Sequence, residues 1–137
     1  MTEELSAENC FVCSESNPVG LKLKFKMEGK IVKSEFTPKA EHQGWNNITH
    51  GGIITAVLDD AMAYCIYLKG IVGYTAKMEI RFRKPIPIGT TLLIYGRIVS
   101  QKKNLAIIKS WATFRDGQIA AEARGVFTIE KKGESSS

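Results

Sequence analysis

The sequence predicts an α+β domain in which a curved antiparallel sheet wraps round one long buried helix. Three features carry this. Residues 51–69 form an almost wholly apolar run of helical length. Six other stretches read as strands, two of which, 21–27 and 74–82, alternate apolar and polar residues. Short turn signals between strands indicate antiparallel hairpins. A chain of 137 residues fits one domain and can bury a real core. Residues 10–130 are expected to form it, with 1–9 as a flexible N-terminus and 131–137 as a disordered tail.

The elements follow in order. "NPVG" at 17–20 is a turn, opened by Asn and Pro and closed by Gly. In "LKLKFKM" (21–27) Leu21, Leu23, Phe25 and Met27 point one way and the lysines the other, as in a half-buried strand. "EG" (28–29) turns the chain into a second strand, "IVKSEF" (31–36). Residues 37–49 show neither period, and loops of that length in compact domains are usually functional. Trp45 in this loop needs a cover, either the loop's own packing or a substrate. The helix comes next, capped by Thr49 or His50. Lys69 suits its C-terminal dipole and Gly70 its C′ position. Its residues are apolar on every side, so it is expected to be buried. "YTAKMEIRF" (74–82) alternates, and "KPIPIG" (84–89) is a proline-rich bend. Strands at 91–100, 104–114 and 118–129 complete the sheet. Asp116–Gly117 signals a two-residue hairpin between the last two.

Composition narrows the function classes. A net charge of +5 suits an anionic small ligand or a nucleic acid, but most basic residues alternate with apolar ones, as on a strand's solvent face. No nucleic-acid-binding motif is present, so no nucleic-acid partner is expected. Residues 53–68 carry two acids and are too short to span a bilayer comfortably, so no membrane association is expected. The start of the chain lacks the layout of a signal peptide, which points to the cytoplasm. Three cysteines and no export signal argue against a disulfide framework. Cys10 and Cys13 form a C-x-x-C, but a zinc site needs two more ligands, and His42 and His50 lie in another segment. No metal and no cofactor are therefore expected, and the cysteines read as packed thiols.

The unusual feature is Asp59–Asp60 inside the apolar run, because a buried carboxylate is costly unless paired, hydrogen-bonded or used. The two lie about 100° apart round a helix, so they cannot share one environment. "HGG" (50–52) opens the same helix. A helix N-terminus offers unpaired N–H groups, and glycine lets a ligand approach them, which suits a carbonyl oxygen that becomes an oxyanion. Gly51 and Asp59 are separated by roughly 12 Å along the axis at ~1.5 Å per residue. One carbonyl carbon cannot touch both. If they cooperate, they come from two chains with antiparallel helices across a two-fold axis.

The segment "HGGIITAVLDDAMA" resembles the signature of hotdog-fold acyl-CoA thioesterases of the 4-hydroxybenzoyl-CoA and phenylacetate types. "CFVCSESNPVGLKLKF" resembles a leader common in that superfamily, with Ser14 where a glycine often follows the second cysteine. The resemblance covers about residues 10–130 and implies the hotdog fold. It implies that Asp59 is general base or nucleophile, that the Gly51 N–H polarises the thioester carbonyl, and that Thr75 assists. It implies substrate contacts from His50, Gly52, Asn46, Asn47 and Trp45. The CoA phosphates would fall to Arg81, Arg83 and Lys84. His50 would brace the loop, and Asp60, which the family does not require, would pack or support. Trp45, Tyr64, Tyr67 and Met62 would set the pocket width at the dimer seam. A homodimer, and a dimer of dimers, is the assembly implied.

Two other readings compete. A hotdog hydratase or dehydratase pairs a histidine with an acid at other positions; neither histidine here lies on the buried helix. A non-catalytic acyl-CoA-binding hotdog protein has no need of the acid.

Overall fold

The computed structural model describes residues 10–131. The expectations for a flexible start at 1–9 and a disordered tail at 132–137 lie outside the described residues. Strands β1 (Lys26–Glu28) and β2 (Ile31–Phe36) precede helix α1 (Gly51–Tyr67). Strands β3 (Ile71–Phe82), β4 (Leu92–Gln101), β5 (Leu105–Thr113) and β6 (Ile119–Lys131) follow it. They form one six-stranded sheet in the order β1-β2-β4-β5-β6-β3, antiparallel throughout. The sheet wraps round α1, as the periodicity predicts.

The helix buries Ile54, Val57, Leu58, Ala61, Met62, Cys65 and Ile66 against the sheet. The helix packs tightly on β4 at Gly96. A Cβ there would lie 2.8 Å from the Ala61 carbonyl oxygen and 3.0 Å from Cys65 Sγ. Gly96→Ala is expected to lower stability by about 1–3 kcal/mol through overpacking. A urea midpoint equal to the wild type would mean that the helix shifts aside at no cost.

Four local expectations need correction. The helix is not covered on every side. At about 100° per residue, Gly52, Ala56, Asp59 and Ala63 fall in one outer stripe, and this stripe is exposed or only half-buried. The strand expected at 21–27 joins the ladder only from Lys26. Lys22 has φ 58°, which breaks the extended run. Leu21 and Leu23 instead donate to the carbonyls of Phe11 and Val12, at 2.7 and 2.8 Å. The alternation still governs burial: Leu23 is buried and the lysines are exposed.

The hairpin after β5 is a three-residue loop rather than a two-residue one. The Phe114 N–H donates to Gln118 O, and Gly117 takes φ 92°, the position that a type I turn with a glycine bulge requires. Finally, Trp45 does not pack under its loop; it is 84% exposed. Among the described residues no helix is long and apolar enough to cross a membrane.

Candidate active site

The start of α1 is built by its loop. His50 is the N-cap, and its Nδ1 accepts from the Gly52 N–H at 2.8 Å. The His50 N–H in turn donates to the His42 carbonyl at 2.8 Å. Thr49 anchors the loop to the bend before β4: its N–H and its hydroxyl both donate to Ile86 O, each at 2.8 Å. These bonds fix the direction of the first helical N–H groups. The two glycines therefore differ. Gly52 has its N–H occupied by His50 and cannot offer it to a ligand. Among the described residues the Gly51 N–H has no acceptor. A Cβ on Gly51 would lie 3.4 Å from the ring of Phe82, which is half-exposed on β3. A hollow of about 410 Å³ beside it is lined by Gly44, Trp45, Thr49, His50 and Gly51. Phe82 was not among the expected site residues, although its place in "IRF" on the helix side of β3 marks it.

Asp59 is half-buried two turns along α1. The Thr75 hydroxyl donates to its Oδ1 at 2.7 Å. A bulge makes this bond possible. On β3 Met78 pairs with Gly125 and Thr75 with Phe127, while the register shifts between Thr75 and Lys77. Gly125 and Phe127 both face the core, so Thr75 and Met78 share a face although they stand three positions apart. Ala76 is the extra residue. Unbroken alternation would turn Thr75 away from α1.

Asp60 lies on the other flank of the helix. Cys10 donates to its Oδ1 at 3.5 Å, while its buried Oδ2 has no partner among the described residues. Burial pushes the Asp60 carboxyl above its usual range, and bonds from Cys13 and Cys10 partly offset that. Burial also raises the Cys13 thiol and the Tyr64 hydroxyl.

The remaining expected residues are placed less favourably. Asn46 and Asn47 are exposed, and Asn47, with φ 64°, donates its N–H to Gln43 at 2.7 Å. Arg81 and Arg83 line a hollow that also holds Arg97, Lys109 and Arg124, on the face of the sheet away from α1. Arg83 pairs with Glu122 and Lys84 with Gln118. One chain therefore gathers Arg81 and Arg83 with other basic residues, in a hollow separate from the one beside Gly51. Met62 is fully buried against the sheet and lines no seam, while Tyr64 stacks on Phe25 at 4.8 Å. A larger groove of about 1160 Å³, unforeseen from the sequence, runs past Ile53 between Phe25, Phe36, His42 and Tyr95.

One helix enclosed by this strand order is the hotdog fold. Solved neighbours agree. A hypothetical thioesterase of Streptococcus pneumoniae solved with coenzyme A superposes with a TM-score of 0.76 at 18% identity, covering 82% of this chain and 91% of that one. The same protein has been solved with one aspartate, and separately one threonine, replaced by alanine. The Escherichia coli PaaI protein from the phenylacetic acid degradation operon gives 0.74 at 21% identity, over 79% and 83% of the two chains. In sequence, residues 46–110 match the family model of the thioesterase superfamily. Acyl-coenzyme A thioesterase THEM5 of Mus musculus is 30% identical over 96 residues, 67% of this chain. That match spans only 38% of the mouse protein's length. The chain has the hotdog fold, and its central 46–110 segment is similar to the thioesterase superfamily.

Proposed function

We propose that the chain hydrolyses acyl-CoA thioesters at a site shared by two copies of itself. The observation that carries this reading is the Thr75–Asp59 hydrogen bond at 2.7 Å, which aims a carboxylate outward from the helix. The aspartate and threonine replaced in the Streptococcus pneumoniae protein stand 16 positions apart, as Asp59 and Thr75 do.

Three features support the second copy. The axial separation of roughly 12 Å keeps Gly51 and Asp59 of one chain from one carbonyl. The outer stripe of α1 is built of small residues round Asp59 and lies incompletely covered. And β3, 12 residues long, is an edge strand with unpaired backbone groups on its outer side, a template for a second β3.

In this reading the thioester oxygen accepts from Gly51 N–H at the helix start of one protomer. Asp59 of the other either takes a proton from an attacking water or attacks the carbonyl itself, giving a mixed anhydride that water then opens. The negative charge gathers on the oxygen held by the helix N-terminus, where the dipole favours it. The thiolate of CoA leaves, and Thr75 keeps Asp59 aimed.

A panel of acyl-CoA esters followed with a thiol reagent tests the reaction. Catalysed CoA release is expected. Binding without release would favour the acyl-CoA-binding alternative, and hydration of an enoyl-CoA would favour the hydratase. Thr75→Val should lower kcat by about 10- to 100-fold, the worth of a hydrogen bond to a charged group, with KM little changed. An unaltered kcat would mean that Thr75 does not position the acid.

A further inference from the structure

The C-x-x-C and Asp60 are left unused by this chemistry, and the fold brings them together. Residues 10–14 form a tight turn in which the Ser14 N–H donates to Cys10 O at 3.1 Å. The pairing of residues 21 and 23 with 11 and 12 lays that turn against α1. The thiol sulfurs of Cys10 and Cys13 and a carboxylate oxygen of Asp60 all lie within 4.8 Å of one another. All three residues are partly buried, and Oδ2 of Asp60 has no partner among the described residues. Tyr64, one helical turn beyond Asp60, lies beside Cys13.

We propose that Cys10, Cys13 and Asp60 form a zinc site that clamps the N-terminal segment to α1. The proportions fit. Zinc binds thiolate sulfur at about 2.3 Å and carboxylate oxygen at about 2.0–2.2 Å, so tetrahedral S···S and S···O edges are about 3.8 and 3.6 Å. The Cys10 Sγ to Asp60 Oδ1 distance is already 3.5 Å. Two sulfur donors disfavour magnesium and calcium, and the mixed sulfur and oxygen set suits zinc. With three ligands from the chain, a water completes the tetrahedron. On binding, the two thiol protons pass to solvent, leaving two thiolates and one carboxylate round a divalent cation. The Tyr64 hydroxyl then donates to the Cys13 thiolate, a support of the kind that orients metal ligands. Asp59 faces the opposite flank, so the clamp stands apart from the proposed hydrolytic site and does not depend on that reading.

The test uses the full chain, reduced, loaded with zinc and dialysed. One zinc per chain is expected, and Cys13→Ser should retain almost none. Cobalt in place of zinc should show the visible absorption of a tetrahedral site and a near-ultraviolet thiolate charge-transfer band. Asp60→Asn should keep the thiolate band but weaken zinc binding by about tenfold or more. Circular dichroism confirms that each variant is folded. No retained zinc, a cobalt spectrum without the thiolate band, or wild-type affinity in Asp60→Asn would each overturn the site. So would a Cys10–Cys13 disulfide whose reduced form takes up no metal.

Discussion

Asp59→Asn should lower thioester turnover by about 10²- to 10⁴-fold, the range a general base contributes, in a protein that stays folded. Asparagine keeps the volume of aspartate and still offers an oxygen to the Thr75 hydroxyl, so the contact at 2.7 Å survives in shape. What disappears is the ability to take a proton or to attack a carbonyl. Asp60→Asn is the control. It sits next in sequence, yet its carboxylate faces Cys10 and Cys13 on the other flank of α1. Its effect on kcat should be far smaller. Equal losses in the two variants, read from kcat on one acyl-CoA ester, would refute the assignment of Asp59. A folded Asp59→Asn protein with wild-type kcat would do the same.

The second large effect separates a shared site from a single-chain one. Gly51→Pro removes the proposed oxyanion donor without disturbing the helix. Proline is favoured at the first helical position, where its missing N–H breaks no intrahelical bond. His50 already has φ −61° and ψ 132°, the extended geometry that a following proline demands. Loss of one oxyanion donor costs about 10²- to 10³-fold in kcat. Neither Gly51→Pro nor Asp59→Asn should then turn over well alone. Co-expressed in equal amounts with distinct tags, they pair at random, and about half of the dimers are mixed. Each mixed dimer holds one site with both defects and one with none. Activity of about a quarter of the wild type should therefore return. If donor and acid belong to one chain, the mixture stays as inactive as its parents.

The fold was legible in the residues to the extent that its signals are local. Turn signals and strand-like runs at 31–36 and 118–129 predict strands. The apolar run from Gly51 predicts the helix, and "HGG" marks its start. Each depends on neighbours a few residues apart, and local sterics and burial reward the same pattern in any fold. The roles of Gly51 and Gly52 were only half legible. The motif names both glycines, but the His50 side chain occupies just one of their N–H groups.

Other features depended on contacts between distant residues. Alternation through 74–82 points Thr75 away from the helix. The register that β6 imposes on β3 adds Ala76 as a bulge and turns Thr75 to Asp59. Cys10 and Asp60 are 50 residues apart in the chain, and no spacing rule joins them until the N-terminal turn docks on α1. The exposure of Trp45 has the same origin, since a loop's composition does not say which surface it meets. The sequence by itself determined the helix, the strands and the residue types at the candidate site. Only the tertiary structure decided which of them face one another, because side-chain direction within an element follows from local geometry, whereas strand register and docking are settled by packing over the whole chain.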